Sequence, residues 1–347
     1  MSLQPATAFV PDCAVIVPVY RNEAGIGDLL ARLADLHARV PGGIEAILVV
    51  DGSPDASHAL LAAALPRMPF VSRLMLLSRN FGSFAAIREG LRVAGGRWFA
   101  VMSADLQEDA SVALAFFDAL RSDEADVVLG ARESRADPWA DRIASAAFWG
   151  FYRRFIRRDL PPGGVDVFGC NAAFRDHLVA MTESYSSLIG QLLWLGFRRK
   201  LVFYRRVARQ HGASAWTLRR KVAYLLDSVY SFTDLPVRAF VALGVVGIVS
   251  SVVLTVVVLA AKASGAIPVP GYTATVLTIV FFASLNLFGL GIVGSYVWRA
   301  YENTKARPLA VVMGDQAFRA APAPRRDDGG DGATNPAARA PTGIELR

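Results

Sequence analysis

The chain has 347 residues and a formal net charge of +7, and 53% of its residues are hydrophobic. This length is enough for one large domain or two ordinary ones, and the hydrophobic fraction is high for a soluble enzyme. Its two cysteines are too few for a disulfide framework and are typical of a protein in a reducing compartment.

The first 130 residues alternate between apolar segments and amphipathic segments. We predict strands over residues 14–20, 46–52, 73–78, 97–103 and 126–130, and helices over residues 26–40, 56–65, 84–93 and 112–121. Strand, helix and strand at this spacing indicate parallel strands joined by right-handed crossovers. The predicted fold class is therefore an open α/β sheet.

Polar loops follow four of the predicted strands. They are PVYRNE at residues 18–23, DGSPD at 51–55, SRNFG at 78–82 and SADLQED at 103–109. Because ligands of such sheets bind at the carboxyl ends of the strands, these loops are expected to converge on one crevice. No G-x-G-x-x-G motif opens the first helix, so a dinucleotide-binding site is not expected.

The fourth loop carries two oxygen donors, Asp105 and Gln107, with no histidine or cysteine nearby. Oxygen donors suit a hard cation, Mg²⁺ or Mn²⁺. Two protein ligands would leave coordination positions for water and for the phosphates of a nucleotide. The alternative is that Asp105 caps the helix that follows.

Basic clusters lie between residue 150 and the first long apolar run, interleaved with aromatic residues. Such clusters can indicate nucleic-acid binding, but beside an apolar run an anionic lipid surface explains them better. We expect interfacial amphipathic helices at residues 138–158 and 215–235, and no nucleic-acid partner. Solvated charge on ordinary surface helices is the alternative.

Two apolar runs follow, and they predict a transmembrane hairpin over residues 237–300. Between residues 237 and 261 only Arg238 is charged, and residues 272–298 carry no charge. Each run is long enough to cross a hydrocarbon layer of about 30 Å, although a pair of core helices is the alternative. Arg238 before the first run, and Arg299, Lys305 and Arg307 after the second, place both chain ends in the cytoplasm.

The two chain ends complete this picture. The N-terminus, MSLQPATAFVPDC, lacks a basic start with an apolar run, so no signal peptide is expected. The final segment, residues 301–347, becomes rich in Pro, Ala, Gly and Arg after Leu309, and is expected to be largely disordered after about residue 315.

Taken in order, several motifs resemble glycosyltransferase family 2, which has the GT-A fold, and most closely its membrane-anchored polyprenyl-phosphate branch. These motifs are VPVYRNE, VVDGSPD, LSRNFGSFAAIREGL, SADLQED, VVLGARESR, GGVDVFGCNAAFRD, RQHGASAW, DSVYSFTDLPVR and GIVGSYVWRAYENTKARPL. The resemblance implies a nucleotide-sugar-binding core at residues 1–136 and an acceptor-side region at residues 137–236. The order of these motifs, with two spans after the catalytic domain, is more specific to this family than any single motif.

The resemblance also implies roles for individual residues. The nucleotide-sugar would contact Pro18, Tyr20, Glu23, Asp51, Ser53, Asn80, Gly82, Asp105 and Arg132. Asp105 and Gln107 would bind Mg²⁺ or Mn²⁺, and Asp166 would be the catalytic base. The acceptor phosphate would contact Arg132, Arg209, Ser214 and Trp216.

By the same resemblance, the expected activity is inverting transfer of a sugar to a polyprenyl phosphate, with undecaprenyl phosphate as the acceptor lipid. The expected donor is a uridine diphosphate sugar, with glucose as the default. The expected location is a bacterial cytoplasmic membrane. Because tetramers occur among relatives, a homotetramer is a further expectation.

The chain departs from the family pattern at three positions. Val50 and Ser103 stand where the family often has an acid, and Ala215 replaces a lysine of the acceptor loop. These departures leave open a non-catalytic, membrane-anchored scaffold that binds sugar nucleotides. A processive polysaccharide synthase is a further alternative, but QLLWL at Gln191 lacks the Arg of the Q-x-x-R-W motif, and two spans cannot enclose a glycan.

Overall fold

The computed structural model describes residues 11–132, 150, 165–183, 186–205, 226–227, 229–230, 233, 235–264 and 271–321. The predicted site residues Arg209, Ser214 and Trp216 lie outside the described residues. So do the expected interfacial helix at residues 138–158, apart from residue 150, and most of the one at 215–235.

The described strands form one eight-stranded sheet in the order β7-β5-β6-β4-β1-β2-β3-β8. Its strands are β1 Cys13–Val19, β2 Ile44–Val50, β3 Val71–Leu77, β4 Trp98–Val101, β5 Val127–Arg132, β6 Val165–Asn171, β7 Arg199–Tyr204 and β8 Val312–Phe318. The helices are α1 Ile26–Arg39, α2 Ser57–Ala64, α3 Ser83–Val93, α4 Ala110–Arg121, α5 Ala172–Ala180, α6 Leu188–Trp194, α7 Leu235–Ala263 and α8 Tyr272–Thr304.

The parallel part of the sheet is as predicted. β1 pairs in parallel with β2 and with β4, and β2 pairs in parallel with β3. The sheet as a whole is mixed, because β6 lies antiparallel between β4 and β5. Periodicity in residues 14–130 could not show this insertion, since β6 comes from a segment more than thirty residues after β5.

Helices cover both faces of the sheet because side chains of its central strands alternate between two cores. In β1, Val15 and Val17 belong to the core beneath α1, α2 and α4, whereas Ala14 and Ile16 belong to the core beneath α3, α5 and α6. This alternation follows from the two-residue period of a strand. The α/β layer arrangement is therefore fixed by β-strands that are apolar on both faces.

The expectation of disorder from about residue 315 is wrong for the residues that follow directly. β8 runs to Phe318 and pairs antiparallel with β3, and Ala321 N donates to Met68 O at 2.8 Å. Arg73 on β3 donates to both carboxylate oxygens of Asp315, at 2.7 and 2.6 Å. The free edge of β3 thus supplies backbone partners that composition alone does not reveal.

The two long apolar helices are present, but only part of the predicted hairpin passes a test of length and hydropathy. Among the described residues, Phe281–Thr304 of α8 is the one segment long and apolar enough to cross a membrane, and little of it is buried. In α7, the apolar stretch found among the described residues is Leu235–Gly247. One candidate span is therefore found, and the two-span hairpin stays a prediction.

Contacts join the end of α8 to the residues that lead into α7. Arg299 donates to Asp227 at 2.8 Å, and the hydroxyl of Tyr296 donates to the carbonyl of Thr233 at 3.3 Å. The rings of Tyr230 and Tyr296 meet edge to face, with centroids 5.2 Å apart. These polar and aromatic contacts fix the end of α8 to the residues that precede α7.

A close approach of α3 to the sheet generates a stability prediction. A Cβ at Gly90 would lie 2.6 Å from Ile16 Cγ2 and 3.2 Å from Val49 Cγ2, whereas a Cβ at Gly27, an exposed position of α1, would meet nothing within 4 Å. We expect Gly90→Ala to lower the thermal unfolding midpoint by about 2–6 °C, because overpacking costs more than the gain in helix propensity. Gly27→Ala is the control and should leave the midpoint equal or higher; equal behaviour of the two variants would contradict the packing.

Candidate active site

The loops after β1 and β2 interlock at the carboxyl edge of the sheet, as predicted. Arg21 N donates to Ser53 Oγ at 2.8 Å, and Glu23 N donates to Asp55 Oδ2 at 3.1 Å. In return, the carboxylate of Glu23 accepts a hydrogen bond from Ala56 N at 2.9 Å. The first loop is therefore fixed to the second by backbone and side-chain contacts in both directions.

Asp51 fixes the third loop to the end of β2. Its carboxylate is 2% exposed and accepts hydrogen bonds from Phe81 N at 2.7 Å and Gly82 N at 2.8 Å. Burial raises the pKa of Asp51, while these two backbone donors oppose the rise. Gly52 has a φ of +56°, and a Cβ there would lie 2.2 Å from the carbonyl carbon of Arg79. Only glycine fits this junction.

The loop of residues 103–109, here called the acidic loop, follows β4 and carries Asp105 with a partly exposed side chain. Gln107 and Glu108 are buried. Between the two predicted ligands, Leu106 has a φ of 55°, a conformation that costs a non-glycine residue about 1–2 kcal/mol. Its buried side chain joins the core beneath α1 and α4, which helps to hold that conformation.

The alternative role of Asp105 as a helix cap is excluded by the structure. The N-cap of α4 is Asp109, whose carboxylate accepts a hydrogen bond from Ser111 N at 2.9 Å. Asp105 lies four residues earlier and outside the helix. Its carboxylate is therefore not used for capping α4.

The donor set of the acidic loop fits a hard divalent cation. Within the described ranges, no group of three or more His, Cys, Asp or Glu residues could hold a metal ion by itself. A cation at Asp105 and Gln107 would therefore take most of its ligands from water and from a bound phosphate, which is usual for Mg²⁺ sites.

A second polar cluster lies at the same edge of the sheet. Arg132 ends β5, Asp166 lies at the start of β6 and Tyr204 ends β7. Because β6 runs antiparallel to β4, its first residues lie beside the carboxyl ends of the parallel strands. Arg132 and Tyr204 are register partners across β5 and β7.

In this cluster, Arg132 and Tyr204 donate hydrogen bonds to the same carboxylate oxygen of Asp166. Arg132 Nε donates to Asp166 Oδ2, and the hydroxyl of Tyr204 donates to that oxygen at 3.2 Å. Burial of Arg132 is outweighed by the adjacent Asp166 carboxylate, so its pKa stays above the ordinary value. The pKa of Tyr204 is also raised, by burial first and then by the negative charges of Asp166 and Glu108. Tyr204 is therefore a neutral donor at physiological pH.

The structure brings most of the described, sequence-predicted residues to this edge. Pro18, Tyr20, Ser53, Asn80 and Gly82 lie at the loop ends and are partly exposed. Several residues with clear contacts in the site were not predicted from the sequence: Asn22, Arg32, Glu108 and Tyr204. In the sequence, each of these is only a polar residue in or near a predicted loop, helix or strand end. That feature is too common to identify a site residue.

Comparison with known proteins assigns the family. The model of glycosyl transferase family 2 matches residues 14–180. An undecaprenyl-phosphate 4-deoxy-4-formamido-L-arabinose transferase of Aeromonas hydrophila is 30% identical over 331 residues, covering 91% of this chain and 96% of that protein. The chain belongs to glycosyl transferase family 2. It is a glycosyltransferase with a GT-A-like α/β fold and a mixed sheet.

Other relatives extend this comparison. A bactoprenol glucosyl transferase of Shigella phage SfV is 25% identical over 305 residues, covering 87% of this chain and 98% of that protein. Among solved structures, glucosyl-3-phosphoglycerate synthase of Mycobacterium tuberculosis is 18% identical, covers 63% of this chain and 80% of that one, and has a TM-score of 0.46.

The Asp51 contacts predict local protection of the third loop. In Asp51→Asn an amide group would face one of the two N–H donors, so one charge-assisted hydrogen bond is lost, at a cost of about 1.5–3 kcal/mol. We expect the amides of Phe81 and Gly82 to exchange hydrogen at least about tenfold faster, measured by mass spectrometry of peptides spanning residues 78–86. Asp35→Asn, at an exposed carboxyl paired with Arg39 on α1, is the control. Unchanged exchange in Asp51→Asn would contradict this role.

Proposed function

We propose that this glycosyltransferase moves a sugar from a nucleoside diphosphate to a polyprenyl phosphate, with undecaprenyl phosphate as the acceptor. The observation that carries this proposal is that an oxygen-donor loop and the Arg132–Asp166 pair lie at one edge of the sheet, in a chain with long apolar helices. Two relatives, an undecaprenyl-phosphate 4-deoxy-4-formamido-L-arabinose transferase and a bactoprenol glucosyl transferase, support the same acceptor class. We propose a uridine diphosphate donor, with glucose as the default sugar.

The nucleotide-sugar would lie across the interlocked loops. Pro18, Tyr20 and Glu23 would contact its base and ribose, together with Asp51 and the loop that Asp51 orders. Ser53, Asn80 and Gly82 line the same edge. A preformed loop of this kind lowers the entropy that donor binding must overcome.

Asp105 and Gln107 would hold Mg²⁺ or Mn²⁺ against the diphosphate. When bound, the cation neutralises the negative charge that develops on the leaving nucleoside diphosphate. Arg132, at the end of β5, would add a fixed positive charge near the leaving group. Water and phosphate oxygens would complete the coordination of the cation, as is usual for such sites.

The acceptor needs little activation. A phosphate monoester with a second pKa near about 6 is largely dianionic at neutral pH, so proton removal is a smaller part of the reaction than for a sugar hydroxyl. The acceptor oxygen would attack the sugar carbon on the face opposite the leaving group, which inverts the anomeric centre. Asp166, although proposed as the base, is already paired with Arg132. We infer that its main work is to orient that guanidinium toward the phosphates.

The membrane segment would bring the lipid phosphate to this edge. We propose two spans within residues 237–300 in a bacterial cytoplasmic membrane, with both chain ends in the cytoplasm. Arg299 and Lys305 lie at the end of α8, where Lys305 contacts the rings of Trp298 and Tyr301 at 5.3 and 4.4 Å. Aromatic and basic residues together are typical of the cytoplasmic interface. Arg209, Ser214 and Trp216 would complete the acceptor site, and a homotetramer is compatible with this arrangement.

The direct test is a reconstituted transfer assay. Purified protein in bilayer nanodiscs would be incubated with Mg²⁺, undecaprenyl phosphate and radiolabelled UDP-glucose, with other sugar nucleotides screened in parallel. Label in a lipid carrying a single sugar supports the proposal. Label only in long polymer indicates a processive synthase, and no transfer from any donor indicates a sugar-nucleotide-binding scaffold.

The metal role of Asp105 gives a sharp mutational prediction in this assay. Asp105→Asn removes the one carboxylate proposed as a ligand, and we expect transfer to fall by at least about 100-fold. Asp118→Asn, which makes the same charge change at an exposed position of α4, should retain activity. Full activity of Asp105→Asn at limiting Mg²⁺ would refute the assignment.

The hydroxyl of Tyr204 gives a second prediction. Without it, Asp166 keeps only the Arg132 contact of the two described here, so the pair should become less ordered. We expect Tyr204→Phe to lower kcat about tenfold with little change in the KM for the donor, whereas Asp166→Asn should cost more because it also releases Arg132. Tyr301→Phe, which removes a phenol hydroxyl on α8, is the matched control. A kcat within about twofold of wild type would show that Tyr204 is not needed.

A further inference from the structure

The backbone of the acidic loop accepts hydrogen bonds from two side chains of the segment after β1. Asn22 Nδ2 donates to the carbonyl of Ala104 at 2.9 Å, and Arg32 Nη1 donates to the carbonyl of Glu108 at 3.3 Å. These two carbonyls lie on either side of Asp105 and Gln107 in the chain. The backbone that carries both proposed ligands is therefore fixed at its two ends.

Asn22 has the stronger position of the two. It is 8% exposed, its backbone N–H donates to the hydroxyl of buried Ser57 at 3.2 Å, and its carbonyl accepts from Gly25 N at 3.0 Å. A Cβ at Gly25 would lie 2.9 Å from Asn22 Oδ1, so glycine there leaves room for the amide. One residue thus contacts the first loop, the start of α2 and the acidic loop.

Arg32 contributes a weaker contact of the same kind. Its side chain is 29% exposed, and its second contact, to the carboxylate of Asp109, is 3.4 Å long. Water competes for a partly exposed contact of this length, so its loss should matter less than the loss of the buried Asn22 amide.

The backbone conformation of the acidic loop gives these contacts their importance. Leu106 holds a φ of 55° between the two proposed ligands, and a residue persists in this region only where its surroundings impose it. If the Ala104 contact is lost, the loop can relax, and the oxygens of Asp105 and Gln107 then move relative to the nucleotide loops.

We propose that Asn22 is a positioning residue that couples the nucleotide loops to the acidic loop, so that a nucleoside diphosphate and a divalent cation bind cooperatively. This inference rests on the proposed function. Asn22 would contact neither the nucleotide nor the cation. It holds the acidic loop in register with the first and second loops, so that the phosphates bound by one side meet the cation held by the other.

The experiment measures binding and coupling, without turnover. The affinities of UDP, GDP and CDP would be determined by isothermal titration calorimetry, each with and without Mn²⁺, and the tightest would be used for the variants. For Asn22→Ala we expect affinity without Mn²⁺ within about twofold of wild type, and affinity with Mn²⁺ weaker by about 10-fold or more, as for other residues that support metal ligands. Arg32→Met should show a smaller loss of the same kind.

Two controls separate positioning from general instability. Arg39→Met removes a cation from the same helix as Arg32 but leaves both carbonyl contacts of the acidic loop in place, because the ion pair of Arg39 is with Asp35, so its coupling should equal that of wild type. Thermal unfolding without ligand checks that Asn22→Ala is folded. If that variant does not fold, Arg32→Met decides the question, and wild-type coupling in it then overturns the proposal.

The remaining outcomes distinguish this inference from the proposed function. If wild type binds none of the three nucleotides with Mn²⁺, the proposed function is wrong and the coupling role falls with it. If wild type shows coupling and folded Asn22→Ala keeps it unchanged, only the role of Asn22 is wrong. An equal loss of affinity with and without Mn²⁺ also overturns it, since the effect would then lie in the nucleotide loops alone.

Discussion

The parallel pairing of β1 with β2 and with β4 is the constraint on which the site depends. Because these strands run in one direction, the loops that follow them meet at one edge. Buried polar contacts then fix the loops to one another: Asp51 holds the third loop, and Asn22 holds the acidic loop. A small number of hydrogen bonds in places where water is excluded therefore determines the shape of the crevice.

The sequence predicted the half of the sheet in which local pattern and pairing agree. Alternating strands and helices in residues 14–130 lead to parallel neighbours, and β1 to β4 are paired in that way. The antiparallel strands β6 and β8 could not be predicted, because their partners are far away in the chain. β8 is the clearest case, since a segment with the composition of a disordered tail forms a strand once the edge of β3 offers hydrogen bonds and Arg73 offers a charge for Asp315.

The same limit applies to the site. Residue type and strand end were enough to predict Asp105 and Gln107 as oxygen donors at the edge of the sheet. They were not enough to decide whether Asp105 caps α4, which depends on the contact between Asp109 and Ser111. Nor could they identify Tyr204, whose role arises from the register of β7 against β5. Residues that act through other residues are recognised only when their distances are known.

The departures from the family pattern at Val50 and Ser103 do not disorganise the crevice. Val50 is fully buried in the core beneath α1, so a carboxylate there would need its own partners, while Asp51 beside it keeps both of its backbone contacts. Ser103 precedes Ala104, whose carbonyl is held by Asn22. The conformation of the acidic loop is thus set by a backbone contact and by the burial of Leu106, neither of which requires an acid at residue 103. A site organised in this way can lack a carboxylate at residue 103 and still hold Asp105, the proposed metal ligand, in the same loop conformation.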